Sequence, residues 1–347
     1  MIIREKEPAN LEMPFGELEG FLTPNEQFYI RSHFPVPETD LATWRLRIEG
    51  KVQTAREFSL EDLRKLSATT LPATLECAGN GRVFLVPKVK GAQWGLGAVG
   101  NAEWTGVSLG EILRASGIES GATEVILEGA DRGKISDPPK PAGEIHYARS
   151  VPLGKALEGV LLAYEMNGEP LTPAHGFPLR AIVPGWYGMA AVKWLQRIIV
   201  TDRPFNGYYQ TVDYAFWQRD DTGVRLIPIT EMHIKASIAR PGINEVVAAG
   251  STCKVAGAAW TAEADIVKVE LSTDGGSSWK MASLGKEKAR HSWQLWEYDW
   301  SVPSTPGRRV LLARATDSRG RTQPMERDPD RGSYEINHCL PLEVEVR

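Results

Sequence analysis

Apolar positions along the chain fall mostly in short runs that alternate with polar ones and are broken by Pro and Gly, the pattern of half-buried strands. "WRLRIEG", "TEVILEGAD", "PLRAIVPG" and "VKWLQRIIVTD" show it in the first two thirds. Helical periodicity is confined to two short stretches. "SLEDLRKL" (Ser59 to Leu66) places a Ser cap and an acidic first turn ahead of its leucines, and "SLGEILRASG" (Ser108 to Gly117) ends on a Gly stop signal. From about Met232 the helical signal disappears. "HIKASIARP", "EVVAAGSTCKVAGAAW", "DIVKVELSTDGGSSWKMA", "SWQLWEYDWSV" and "RRVLLARATDSRG" follow one another as strands at short, regular spacing. The pattern predicts an α+β, strand-rich region over residues 1–228 and an immunoglobulin-like β-sandwich over residues 229–347.

Within the second region, "STDGGSSW" (Ser272 to Trp279) has the S-x-D-x-G-x-x-W pattern of Asp-box hairpins. A propeller needs that signal blade after blade, at intervals of roughly 40–50 residues, and it occurs once. It predicts a single tight hairpin stapled by Asp274 and capped by Trp279.

Composition narrows the function classes. With 347 residues, 42% of them hydrophobic, the chain has enough apolar material for the cores of about two domains. A formal net charge of -4, without a basic block, argues against nucleic acid as a partner. No run approaches the roughly 18 apolar residues of a membrane span. "MIIREKEPANLEMPFGE" lacks the apolar segment of a signal peptide, so the expected location is cytoplasmic, or periplasmic if an export segment has been removed.

Cys77, Cys253 and Cys339 are the three cysteines, far apart and without a C-x-x-C pair, which indicates neither a disulfide framework nor a zinc knuckle. Cys77 stands out in "TLECAGNGR", where small residues rather than apolar ones follow it, a setting suited to presenting a thiol. Two chemistries remain open for it: a nucleophile activated by a base such as His175 or His33, or a single thiolate on a metal delivered inside an organic cofactor. "FYIRSHF" puts Arg31 and His33 two apart, on one side of an extended segment, a pairing suited to an oxyanion or phosphate. "HGFPLR" supplies His175 and Arg180, and "GWYGMAAVKW" brings Lys193 after a Gly-rich stretch that a ligand can approach closely. Singly, each of these reads more readily as structure.

Taken in order, "FYIRSHFPVP", "TLECAGNGR", "AHGFPLRAIVPGWYGMAAVKWL" and "VDY" resemble the sulfite oxidase family of molybdenum enzymes, which also includes the molybdenum domain of eukaryotic nitrate reductase. The resemblance implies a sulfite-oxidase-type molybdopterin domain over residues 1–228, followed by an immunoglobulin-like dimerisation domain over 229–347, hence a homodimer. It implies that Cys77 supplies the sole protein thiolate to molybdenum held by a pyranopterin dithiolene. Tyr29, Arg31, His33, Asp131, His175, Arg180 and Lys193 match the family's pterin and phosphate contacts. Tyr214 in "VDY" matches the tyrosine beside the metal, and Arg31 also faces the substrate. The implied reaction is oxidation of sulfite to sulfate by oxygen-atom transfer. The alternatives are reduction of nitrate or of an S- or N-oxide and, in another class, a cysteine hydrolase built on Cys77. No C-x-x-C-H haem motif is present, so no haem is expected in this chain and electrons must pass to an external acceptor such as a cytochrome c or oxygen.

Two departures bear on the substrate. Animal and plant sulfite oxidases carry a second anion-binding Arg in the C-terminal domain, and "WTAEADIVKVE" places Asp265 where it is expected. A carboxylate there would repel a dianion. Gly81 also stands where animal enzymes have Arg.

Overall fold

The computed structural model describes residues 1–347. The principal strands of the first region are β1 (Leu46–Gly50), β2 (Arg56–Phe58), β3 (Ala68–Glu76), β4 (Val99–Ser108), β5 (Glu124–Lys134), β6 (Glu144–Pro152), β7 (Leu161–Met166), β8 (Arg180–Ile182) and β9 (Leu195–Thr201). Alternation sets their faces: in β1, Leu46 and Ile48 are buried while Arg47 is exposed. One sheet runs β2–β1–β9–β5–β6 and is antiparallel except where β9 lies parallel to β1. The other pairs β3 with β4 and β4 with β7, and β8 lies against β7.

Both anticipated helices form. In α1 (Leu60–Arg64) Ser59 and Asp62 close a capping box. α2 (Leu109–Ser116) is capped by Ser108, buries Leu109, Ile112 and Leu113, and stops at Gly117. A third helix, α3 (Leu153–Gly159), gives no sequence signal because it has no polar cap and contains two glycines.

The second region is an immunoglobulin-like sandwich. Its main strands are β10 (Lys235–Arg240), β11 (Thr252–Trp260), β12 (Ile266–Ser272), β13 (Gln294–Ser301), β14 (Gly307–Asp317) and β15 (Leu342–Val346). One sheet runs β10–β11–β13 and the facing one β15–β14–β12, with Val255, Val269, Trp296 and Leu311 buried between them. The hairpin after β12 has the anticipated staple: Asp274 accepts from the Ser278 N–H (2.9 Å) and hydroxyl (2.6 Å). Trp279 lies against the Arg314 guanidinium, 4.1 Å from ring centroid to Cζ.

Two packing features position the site. First, β3 is exposed over Ala68–Thr70 and buried over Ala73–Glu76, so it drives inward and delivers Cys77 deep in the molecule. Second, Trp260 and Trp293 of the sandwich pack into the same apolar core as Leu46, Ile48 and Val99 of the first region. The sandwich therefore lies directly against the elements that carry the site.

Candidate active site

The turn after β3 is small-residue in composition, as its sequence suggested, yet Cys77 through Arg82 are all buried. Cys77 N–H donates to Ala98 O (2.9 Å), Asn80 N–H to Cys77 O (2.8 Å) and Arg82 N–H to Gly79 O (3.0 Å), which winds the segment tightly. Gly81 sits at φ 95°, where a side chain would be strained. The same turn is roofed by the sandwich region, whose Glu335 N–H donates to Ala78 O (2.7 Å).

The nine residues assigned to the cofactor and metal site line one cleft: Tyr29, Arg31, His33, Cys77, Asp131, His175, Arg180, Lys193 and Tyr214. The segment carrying Arg31 and His33 is irregular, with a lone bridge from Ile30 to Leu11. Ser32 between them also faces inward, accepting from Lys193 Nζ at 3.0 Å. Lys193 donates in addition to Ala174 O (2.9 Å), and Arg180 to His175 O (3.0 Å) and Ala191 O (3.2 Å). His33 Nε2 lies 2.8 Å from the Tyr214 hydroxyl, and its ring stacks on Tyr147. Tyr214 is held by its own segment: Ile229 N–H donates to Tyr214 O (2.9 Å), and the fully buried Arg149 donates to the carbonyls of Tyr209 and Ile229. Nothing in the sequence marked Arg149, which looks there like an ordinary basic residue in a strand.

Burial dominates the electrostatics. It pushes the Cys77 thiol up, against the pull of Arg82 and Arg31. It lowers His175 to about 4, with Arg180 and Lys193 adding to the effect, and drives His33 well below its ordinary value alongside Arg31 and Lys193. Both rings are therefore neutral near pH 7. Burial raises the Asp131 carboxyl to about 7, with Lys193 opposing. For Arg31, burial works against the charge, but Tyr214, Cys77, Glu5 and Asp213 together outweigh it and the guanidinium is held more firmly cationic. No hydrogen bond joins either imidazole to Cys77: His33 Nε2 is paired with Tyr214 and His175 Nε2 lies 3.2 Å from Asn25 O. A Cys–His nucleophile has no base in place.

A second, outer lobe adjoins the cleft, and Arg31, His33, Cys77 and Tyr214 are the four residues common to both. Cys77 thus stands at the junction. The outer lobe adds Arg82, Lys90 and Lys134, with Asp137 and Asp213 as its carboxylates. Asp137 is paired with Lys90, and Asp213 accepts from the Tyr334 hydroxyl at 2.8 Å. Arg82 escaped the sequence reading although it lies five residues after Cys77; its signal was a cation in the same tight turn.

Asp265 corrects an expectation. It does not replace a cation in the site, since it lines neither lobe. It pairs with Lys288 at 3.1 Å in a separate surface cleft, because backbone and side-chain hydrogen bonds with Ser318 tie its turn to that face. Asp265→Arg is therefore expected to leave the KM for a small oxyanion within about twofold of wild type in steady-state kinetics, as a solvent-screened, exposed charge should.

The inner lobe has the donor set of a pocket for an anionic, phosphate-bearing group. One thiol lies where it adjoins the outer lobe, and Arg180, Lys193 and His175 line the inner lobe alone. Asp131 Oδ1 and Arg180 Nε are buried without any protein partner. Unpaired buried polar atoms are costly, so a ligand that satisfies them fits the cavity. The family model for the oxidoreductase molybdopterin binding domain matches residues 33–209, and that for the Mo-co oxidoreductase dimerisation domain matches residues 227–329. The chain belongs to the sulfite oxidase family of molybdopterin oxidoreductases. It is 38% identical to the mitochondrial sulfite oxidase of Drosophila melanogaster, an alignment covering 92% of this chain and 58% of that protein. Identity to the sulfite oxidase of Gallus gallus is 36%, over 93% of this chain and 72% of that one. The NADPH nitrate reductase of Aspergillus niger is 33% identical, over 92% of this chain and 41% of its own length. The chain thus spans little more than half the length of the fly enzyme. Among solved structures, the sulfane dehydrogenase SoxCD from Paracoccus pantotrophus superposes with a TM-score of 0.81 at 27% identity, covering 96% of this chain and 83% of that one. No helix is long and apolar enough to cross a membrane.

Proposed function

We propose that this family member oxidises sulfite, or a closely related small oxyanion, to the product one oxygen richer and passes the electrons to an external acceptor. The observation that carries the reading is the position of Cys77 where a deep inner lobe meets a cationic outer lobe. When bound, the molybdenum–pterin group supplies the oxygen-atom-transfer and two-electron chemistry. Cys77 is its thiolate ligand, a soft donor suited to such a metal. Arg180 and Lys193 neutralise its phosphate, His175 lies beside them, and Asp131 accepts from pterin N–H groups. Tyr29 and His33 close the lobe.

Arg31 and Arg82 attract and orient the anion in the outer lobe, so that a slightly acidic protein offers a locally positive mouth. Tyr214 stays protonated, because burial raises its hydroxyl above the usual range despite Arg31, and it is placed to hydrogen-bond substrate or product. The lack of a hydrogen bond between Cys77 and either imidazole speaks against the hydrolase alternative.

The test is metal analysis followed by turnover. About one molybdenum per chain and sulfite-dependent reduction of ferricyanide, or of a cytochrome c, are expected. Metal-free, colourless protein from a cofactor-competent host would overturn it. Stoichiometric molybdenum without any sulfite reaction would instead favour reduction of nitrate or of an S- or N-oxide, an alternative supported by the nitrate reductases among the relatives.

The match to a dimerisation domain over residues 227–329 supports a two-fold dimer. Light scattering at micromolar concentration is expected to give twice the 38.3 kDa chain mass, and a stable monomer would count against it.

A further inference from the structure

Glu76, the residue before Cys77, is buried, and so is Lys235 at the start of β10, 159 positions away. Their side chains are each 2% exposed and meet at 2.8 Å. The contact belongs to a network centred on the cysteine turn. Glu76 Oε1 also accepts from Asn80 Nδ2 (3.0 Å), and Oε2 accepts from the Trp260 indole N–H (2.8 Å). Lys235 Nζ donates a second time, to Asn80 O (3.1 Å), while the Asn80 N–H returns to Cys77 O (2.8 Å). Lys235 and Trp260 face each other across the β10–β11 ladder, so one end of a sandwich sheet presents an ammonium and an indole N–H side by side.

A buried ion pair is a poor device for stability alone, because apolar residues of the same volume usually do as well or better. What this pair has that an apolar contact lacks is direction: its hydrogen bonds fix Glu76 on one side of Cys77 and Asn80 on the other. We propose that Glu76 and Lys235 are a positioning pair through which the β-sandwich sets the geometry of the Cys77 turn. Ligand placement then depends on the second region and not on the first alone. This rests on the reading of Cys77 as the metal ligand.

The test uses full-length E76Q, K235M, the double variant E76Q/K235M, and W260F. Each is produced in a host lacking molybdopterin, and the rate of iodoacetamide addition to Cys77 is read by mass spectrometry, with Cys253 as internal reference. Both single variants are expected to speed Cys77 alkylation about tenfold, and the double variant to return within about threefold of wild type, the non-additivity of a directly coupled pair. Sign separates positioning from simple charge: thiolate is the reacting species, so a purely electrostatic effect would speed E76Q and slow K235M. In the metal-loaded proteins, the thiolate-to-metal absorption band should shift in the single variants and return in the double. W260F keeps both charges and deletes only the indole donor, so it is expected to change both readouts in the same direction, and it decides the matter if a single variant does not fold. Opposite signs, unchanged rates, or a double variant as perturbed as the worse single would overturn the proposal. Failure of the ligand reading would be seen separately, as full molybdenum content and activity in C77S, and would leave the alkylation result standing.

Discussion

Cys77→Ser is expected to abolish turnover while leaving much of the cofactor bound. The substitution exchanges a soft sulfur for a hard hydroxyl at the one position where the chain offers the metal a thiolate, and the loss in kcat should exceed the roughly 100-fold that an outer-shell partner costs. Binding should suffer less, because the contacts assigned to the pterin and phosphate lie elsewhere in the inner lobe, on Asp131, His175, Arg180 and Lys193. The turn itself should survive, since the Cys77 backbone N–H and carbonyl anchor it and a serine hydroxyl can still accept from the Gly79 N–H that faces the sulfur. Pterin fluorescence after acid release measures retained cofactor, and sulfite-dependent ferricyanide reduction measures turnover. Near-wild-type kcat in C77S would remove the ligand assignment.

How far the sequence discloses this site follows from how each residue comes to be there. Cys77, Arg31, His33, His175, Arg180 and Lys193 lie in short segments whose own composition is unusual, so an ordered set of motifs places them, and one cleft contains them all. The strand pattern likewise discloses the sandwich, because alternation and turn residues are local. Three things were not local. Arg82 is in full view in "TLECAGNGR", but what aims its guanidinium is Ser333, 251 residues away, and the carbonyl of Ala92. Lys235 reads as a surface lysine in "HIKASIARP" and becomes a buried partner only when Glu76 arrives across the regional boundary. Asp265 was placed by analogy of strand order, whereas the facing of its turn is decided by Ser318, beyond β14. In each case the deciding contact joins segments far apart in the chain.

Arg82→Gln is expected to raise the KM for sulfite about 10- to 100-fold with a much smaller change in kcat, the consequence of losing a charge-assisted hydrogen bond of roughly 1.5–3 kcal/mol from substrate binding. The geometry makes this arginine a fixed rather than a roaming cation. Its Nε donates to Ser333 O at 3.1 Å and its Nη1 to Ala92 O at 2.8 Å, and the guanidinium lies 5.2 Å from the Tyr334 ring centroid. Only Nη2 makes no hydrogen bond to the protein, so the side chain reaches the outer lobe with a donor to spare and little entropy left to lose. Two glycines make room for it. A Cβ at position 79 would lie 2.2 Å from Nη2, and one at position 91 would lie 2.7 Å from Nη1. Gly79→Ala is therefore expected to displace the guanidinium and to reproduce part of the KM effect without touching any charge. Salt provides an independent check: raising ionic strength should raise the wild-type KM by screening the cationic mouth, with a shallower dependence in R82Q. A wild-type KM in R82Q, with unchanged salt dependence, would assign anion capture to Arg31 alone and make the Gly79–Arg82–Gly91 packing a device for the shape of the turn.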